Sequence, residues 1–206
     1  MRTIKRDGEY ELEIRKSRFI CALARVGDED AARAFIAERR REHWNATHNC
    51  TAYVLGDDGG VQRSSDDGEP GGTAGVPMLE VLRHRRLTDT VAVVTRYFGG
   101  VKLGAGGLIR AYGGAVSAAV DEIGILERRE LLVVDVFADY MLGGRLESDL
   151  RDSSLTVRDV AYADRVRIEV ALPEDDLPGF EVRLAELTGG RAEFEVKGTT
   201  MVEVEP

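Results

Sequence analysis

Sulfur, proline and aromatic side chains are scarce in this chain of 206 residues, which holds two cysteines, five prolines and one tryptophan, with aromatics at 6%. Two thiols, Cys21 and Cys50, are too few for a disulfide scaffold or a four-thiolate metal site. They suit a reduced compartment, as small buried side chains. No apolar run approaches the roughly 18–20 residues of a membrane span, and the opening MRTIKRDGEYELEI lacks the apolar stretch of a signal peptide. The expected location is therefore the cytoplasm, with no membrane partner. Carboxylates are absent from one region in particular: none lies between Thr95 and Val120, in a chain with 37 of them.

What is present is the composition of a globular protein, 43% hydrophobic, long enough for one or two domains. The net charge of −9 is unevenly spread. Residues 1–129 carry 20 Lys and Arg against 19 Asp and Glu, whereas residues 130–206 carry 8 against 18. Nucleic-acid backbones demand cations, so any RNA contact is expected from the N-terminal part. The basic clusters there, Arg39–Arg41 and Arg83–Arg86, read mainly as solvated helix ends, because acidic residues open the first helix and cations close both.

Hydrophobic periodicity divides the chain near Arg128–Glu130. Before that point strand-like and helix-like segments alternate: strands at Tyr10–Ile14, Arg18–Ala24, Thr51–Leu55 and Val91–Tyr97, helices from about Asp28 to Glu42, Pro77 to Leu87 and up to Ile123. Between them Gly56–Gly75 is so polar and glycine-rich that it reads as a loop throughout. After the boundary, strands at Leu132–Ala138, Leu155–Ala161, Val166–Leu172 and Ala192–Val204 enclose two helices. One carries Leu142, Leu146 and Leu150; the other carries Phe180, Leu184 and Leu187 and stops at Gly189–Gly190. The order β-α-β-β-α-β is that of ferredoxin-like domains, and the fold class is α+β.

Thr95–Tyr112, TRYFGGVKLGAGGLIRAY, is the segment richest in chemistry. Five glycines (Gly99, Gly100, Gly104, Gly106 and Gly107) and three cations (Arg96, Lys102 and Arg110) lie between a strand and a helix. Amides at a helix N-terminus favour an anion, a phosphate above all. The alternative is structural, with the glycines, Gly106 included, serving positive φ angles and close packing. Neither G-x-G-x-x-G nor G-x-x-x-x-G-K-[ST] is matched, so no nucleotide fingerprint decides between them.

Two further groupings stand beside the loop. His48 and Cys50, two apart on a strand, point to one side, as a thiolate–imidazole pair requires, yet a packed cysteine and a hydrogen-bonding histidine are the commoner outcome. Adding His43 gives no recognisable metal-ligand spacing. Asp66, Asp67 and Glu69 suit either a divalent cation or a turn with solvated carboxylates, and the turn is favoured. No metal or cofactor is assigned.

ATHNCTAY at Ala46–Tyr53, SSDDGEPGGTAGVPML at Ser64–Leu79, TRYFGGVKLGAGGLIRAY and the opening KSRFI at Lys16–Ile20 closely resemble the Impact/YigZ family. The resemblance implies an N-terminal domain with the fold of ribosomal protein S5 domain 2. A ferredoxin-like domain similar to the last domain of elongation factor G then follows. Eukaryotic members of that family act in translational control. Carried over residue by residue, it implies a functional surface of His48, Asn49, Asp67, Glu69, Thr73, Arg96, Lys102 and Arg110 with the loop glycines. The expected function is non-enzymatic binding linked to translation, through RNA, the ribosome or a translation-associated protein. The alternative is an enzyme acting on a phosphorylated small molecule or peptide through the glycine loop.

Overall fold

The computed structural model describes residues 1–153 and 155–205. By compactness the chain divides into one unit of Met1–Arg128 with the last residues from Val204, and a second of Arg129–Glu203.

In the first unit the elements are β1 (Arg2–Ile4), β2 (Gly8–Ile14), β3 (Ser17–Arg25), α1 (Glu29–Glu42), β4 (His48–Leu55), β5 (Val61–Ser65), α2 (Gly75–His84), β6 (Thr90–Tyr97) and α3 (Ala105–Ile123). Five strands form an antiparallel sheet in the order β2-β3-β6-β4-β5. Alternate residues of a strand go to opposite faces. Phe19, Cys21 and Leu23 of β3 join Cys50, Ala52 and Val94 under α2 and α3, while Ala24 and Tyr53 meet Ala32, Phe35 and Ile36 of α1 on the other side. With both faces covered, the central strands read as unbroken apolar runs such as Val91–Val94. Ala111, Ala115 and Ala119 are fully or almost fully buried at helical spacing on α3, and these small side chains let that helix lie close to its neighbours.

Helix α1 begins where its chemistry says it should: the Asp28 side chain accepts a hydrogen bond from the Ala31 amide at 2.8 Å. At its other end Arg40 and Arg41 are exposed, but Arg39 departs from the expected solvated end. Its guanidinium is buried between Glu9 and Glu42, at 2.8 and 2.7 Å. The expected loop Gly56–Gly75 contains β5, which pairs with β4 from Thr51↔Ser65 to Leu55↔Val61. An edge strand needs only backbone pairing and leaves its side chains in water, so Gln62–Ser65 carry no apolar alternation to announce it.

Strand β7 (Ile125–Ala138) pairs at its start with β1 and leads into the second unit, followed by α4 (Tyr140–Arg151), β8 (Thr156–Tyr162), β9 (Val166–Leu172), α5 (Leu177–Thr188) and β10 (Glu193–Val204). There the strand order is β10-β7-β9-β8, with β7, β9 and β8 antiparallel, the order of a ferredoxin-like unit. Val134, Val136, Ile168 and Val170 meet Leu146, Leu150, Phe180 and Leu184 of the two helices in a core of their own. Gly189, at φ 61°, ends α5 in the left-handed region. A unit with its own core should fold alone. Residues 130–206, expressed separately, are expected to unfold in one cooperative transition with mixed helix–strand circular dichroism. A disordered fragment would refute that independence.

Candidate functional site: the glycine-loop pocket

Register places the site. Across three neighbouring strands Arg96 of β6 lies opposite His48 of β4 on one side and Phe19 of β3 on the other. All three sit at one end of the sheet. Over that end close the loop between β5 and α2, with its Asp-Asp-Gly-Glu-Pro turn, and the loop between β6 and α3, with its glycines.

Each carboxylate of the first loop has a separate task. Asp66 accepts hydrogen bonds from the amides of Gly72, Ala74 and Gly75 at 2.8, 3.0 and 2.8 Å. It thereby caps α2, whose own N-cap residue, Ala74, has no side chain to do so. This explains why α2 starts two residues before Pro77. Asp67, held at φ 46°, accepts from the Asn49 amide at 2.7 Å and pairs with Arg40 at 2.9 Å. Glu69, 8% exposed, turns inward, where its Oε1 accepts from Arg96 at 2.6 Å and from the Tyr112 hydroxyl at 2.8 Å. The guanidinium of Arg96, itself 5% exposed, lies between the rings of Phe19 and Phe98, 5.3 and 5.5 Å from their centroids.

His48 is oriented by this turn. Its Nδ1 lies 2.8 Å from the Asp67 carbonyl, which can only accept, so Nδ1 carries the hydrogen. That leaves Nε2 with a lone pair in the neutral ring, 3.8 Å from Glu69 Oε2. Oε2 has no hydrogen-bond donor among the described residues.

These groups line a cavity of about 410 Å³, closed on its other sides by Thr47, Pro70, Phe98, Lys102, Leu103 and the first turn of α3. Its size lies within the range of about 300–1,000 Å³ usual for small-ligand sites. Gly104 caps α3 at φ 73° with no side chain over the first amides. A β-carbon at Gly99 would stand 1.9 Å from the Lys16 carbonyl oxygen, so this residue is glycine for close approach. The expectation of positive φ at Gly106 is corrected: that residue lies within α3 and has room for a β-carbon. Gly107 packs against Leu103, and Gly100 turns the loop at φ 86°.

Of the residues named from sequence, the pocket gathers His48, Glu69, Arg96, Lys102 and Gly104. Asn49 and Thr73 are buried braces instead. Asn49 accepts from Thr95 Oγ1 at 2.7 Å, and the Thr73 hydroxyl donates to the Pro70 carbonyl at 2.6 Å. Arg110 points from the exposed side of α3 and does not line the cavity. Cys50 is no nucleophile: burial pushes its thiol up to about 12, and it donates to the Asp66 carbonyl. Among the described residues no three His, Cys, Asp or Glu are grouped to hold a metal. Sequence reasoning assigned no site role to Phe98 or Tyr112, although Phe98 is 47% exposed at the pocket's edge and Tyr112 donates to Glu69.

Charge separates the two units. Lys16, Lys102 and Arg110 are exposed and form no ion pair with any described residue. On the sheet of the second unit the cations are already taken: Arg167 by Asp135 and Asp159, Arg165 by Glu193, Arg158 by Glu169 and Lys197 by Glu195.

Fold and site together define a two-unit α+β protein with a polar-floored pocket beneath a glycine loop. The Impact N-terminal domain model matches residues 15–120, and a domain of unknown function, DUF1949, matches residues 136–191. Over 201 residues the chain is 49% identical to the IMPACT family member YvyE of Bacillus subtilis, covering 98% of this chain and 93% of that protein. It is 39% identical to the IMPACT family member YigZ of Escherichia coli over 180 residues, 86% and 88% of the two. A crystal structure titled only as that of a hypothetical protein matches at TM-score 0.59 and 35% identity, over 94% of this chain and 95% of that one. The chain belongs to the Impact family. None of its helices, among the described residues, is long and apolar enough to cross a membrane.

The Asp66 cap generates a test in acid. Burial raises the Asp66 pKa, but the amides of Gly72, Gly75 and Ala74 outweigh it and leave the carboxyl below its usual value of 3.8. A group depressed in the folded state stabilises above its unfolded pKa, and the contribution is lost as pH falls through the folded value. Asp66→Asn should therefore cost about 1–2 kcal/mol at neutral pH. It should also flatten the fall in urea midpoint below about pH 4. An unchanged acid limb would mean that Asp66 does not carry the cap.

Proposed function

We propose that this protein is a non-enzymatic binding protein linked to translation, which grips the phosphate backbone of RNA at the glycine-loop pocket. The observation that carries this reading is the meeting, in one cavity, of an uncapped α3 N-terminus with Lys102, a cation with no ion-pair partner among the described residues. Supporting it is the charge division, which leaves the first unit near neutrality with Lys16, Lys102 and Arg110 outside any ion pair among the described residues, while carboxylates outnumber cations in the second. Family membership fits the same picture without naming a partner.

One observation favours a second reading, an enzyme acting on a phosphorylated small molecule: His48 presents a fixed Nε2 beside a buried carboxylate. Among the described residues no activated nucleophile accompanies it: Cys50 stays protonated, and the Ser17 hydroxyl, which accepts from the Gly99 amide, donates to no base. Binding is the simpler use of the geometry.

A phosphate held by Lys102 gains a charge-assisted bond worth roughly 1.5–3 kcal/mol. Lys102→Ala should weaken RNA binding by about tenfold or more and lower its dependence on salt, leaving the melting temperature within a degree or so of the parent. Calorimetric titration at two salt concentrations would check this, and unaltered affinity and salt slope would overturn the assignment.

A further inference from the structure

Two features of the pocket, and a tryptophan three residues before its Thr47, have no use in gripping a phosphate. The first is Glu69 Oε2, an acceptor on a nine-tenths-buried side chain that lines the cavity and lacks any hydrogen-bond donor among the described residues. That oxygen is free to accept a ligand N–H or O–H. The second is the wall of Phe98, Leu103 and Leu108, which offers a planar apolar ligand a place but offers an anion nothing. Phe98 is fixed in position, since its amide donates to Thr47 Oγ1 at 3.0 Å and the Arg96 guanidinium lies over its ring.

The third feature is Trp44, the only tryptophan in the chain, 81% exposed between α1 and β4. Exposed tryptophans usually sit on mobile chain, but both neighbours of this one are pinned. Arg39 can only donate, so His43 Nε2 accepts from it at 2.9 Å, and His43 Nδ1 donates to the Tyr97 hydroxyl at 2.9 Å. Tyr97 in turn approaches Asn45 Oδ1 at 3.4 Å. Two residues on, the Thr47 amide donates to the Arg96 carbonyl at 2.8 Å. The segment that carries Trp44 is thus clipped to the segment that carries Arg96 and Phe98, and Trp44 stands three residues before Thr47, which lines the cavity.

Resting on the phosphate reading above, we infer that the ligand is single-stranded RNA, with one unpaired nucleotide in the pocket and a neighbouring base on Trp44. The base in the pocket stacks on Phe98 and gives an N–H to Glu69 Oε2, while its phosphate lies at the start of α3 with Lys102. Aromatic platforms beside a cationic groove are the general means of holding unpaired bases, whereas a duplex keeps its bases stacked and cannot present one to a cavity of this size.

The test uses the full chain and the anisotropy of labelled probes: a short single-stranded RNA, the same strand in a duplex, and a ribose-phosphate strand without bases. Trp44 fluorescence serves as a second readout. The expected result is quenching of Trp44 by the single strand and affinity about tenfold weaker for the duplex and the abasic strand. In Phe98→Leu and in Trp44→Leu the preference for the base-bearing strand should fall towards one. Trp44→Leu changes an exposed side chain, so it decides the matter even if Phe98→Leu fails to fold. Equal affinity for all three probes, weakened by Lys102→Ala, would overturn the base-stacking inference and leave the phosphate reading standing. No binding of any RNA would overturn both, and a phosphorylated peptide bound in its place would assign the pocket to a protein partner.

Discussion

One buried ion pair holds the working end of the first unit together. Glu69 comes from the loop before α2, Arg96 from the end of β6, and Tyr112 from α3; the three meet at a single carboxylate oxygen. Taking two charges out of water costs several kcal/mol per ion, so such a pair persists only where other contacts offset the loss. Here the Tyr112 hydroxyl, an edge contact between Tyr112 and Phe19, and two aromatic rings around the guanidinium supply them. Burial and the neighbouring Cys50 and Glu69 raise the Tyr112 pKa, keeping it a proton donor. The consequence is an ion pair with no net charge at the pocket floor, beside which Lys102 and the α3 amides supply positive charge.

Much of this was legible beforehand, because strong patterns have strong physical causes. The alternation of Val166–Leu172, the capping Asp28 and the stopping Gly189 each express one local rule, and each lies where that rule places it. What escaped sequence reasoning depended on partners distant in the chain. Asp66 as a cap for α2 is invisible locally, since an acidic turn looks the same whether its carboxylates face water or a helix start. Edge strand β5 escaped because pairing without burial leaves no trace in side-chain type. Arg39 looked like a solvated helix end until Glu9, thirty residues earlier, was seen to reach it.

The candidate site shows the same division. The motif residues lie around one end of the first unit's sheet, but at different depths. His48, Glu69, Arg96 and Lys102 line the cavity, Asn49, Thr73 and Asp67 brace the loop that forms it, and Arg110 faces outward. Sequence proximity to a motif therefore says little about contact with a ligand. Burial and the direction of each hydrogen bond separate the two.

The buried cysteines have a bearing on life under oxidative stress. Cys21 and Cys50 are both fully buried, and burial raises the pKa of each, so neither sulfur exists as the thiolate that peroxide or a disulfide reagent attacks. Either can react only when the helices that cover the sheet move away. The thiols are thus shielded while the first unit is folded, and their slow alkylation would act as a clock for how often that unit comes apart.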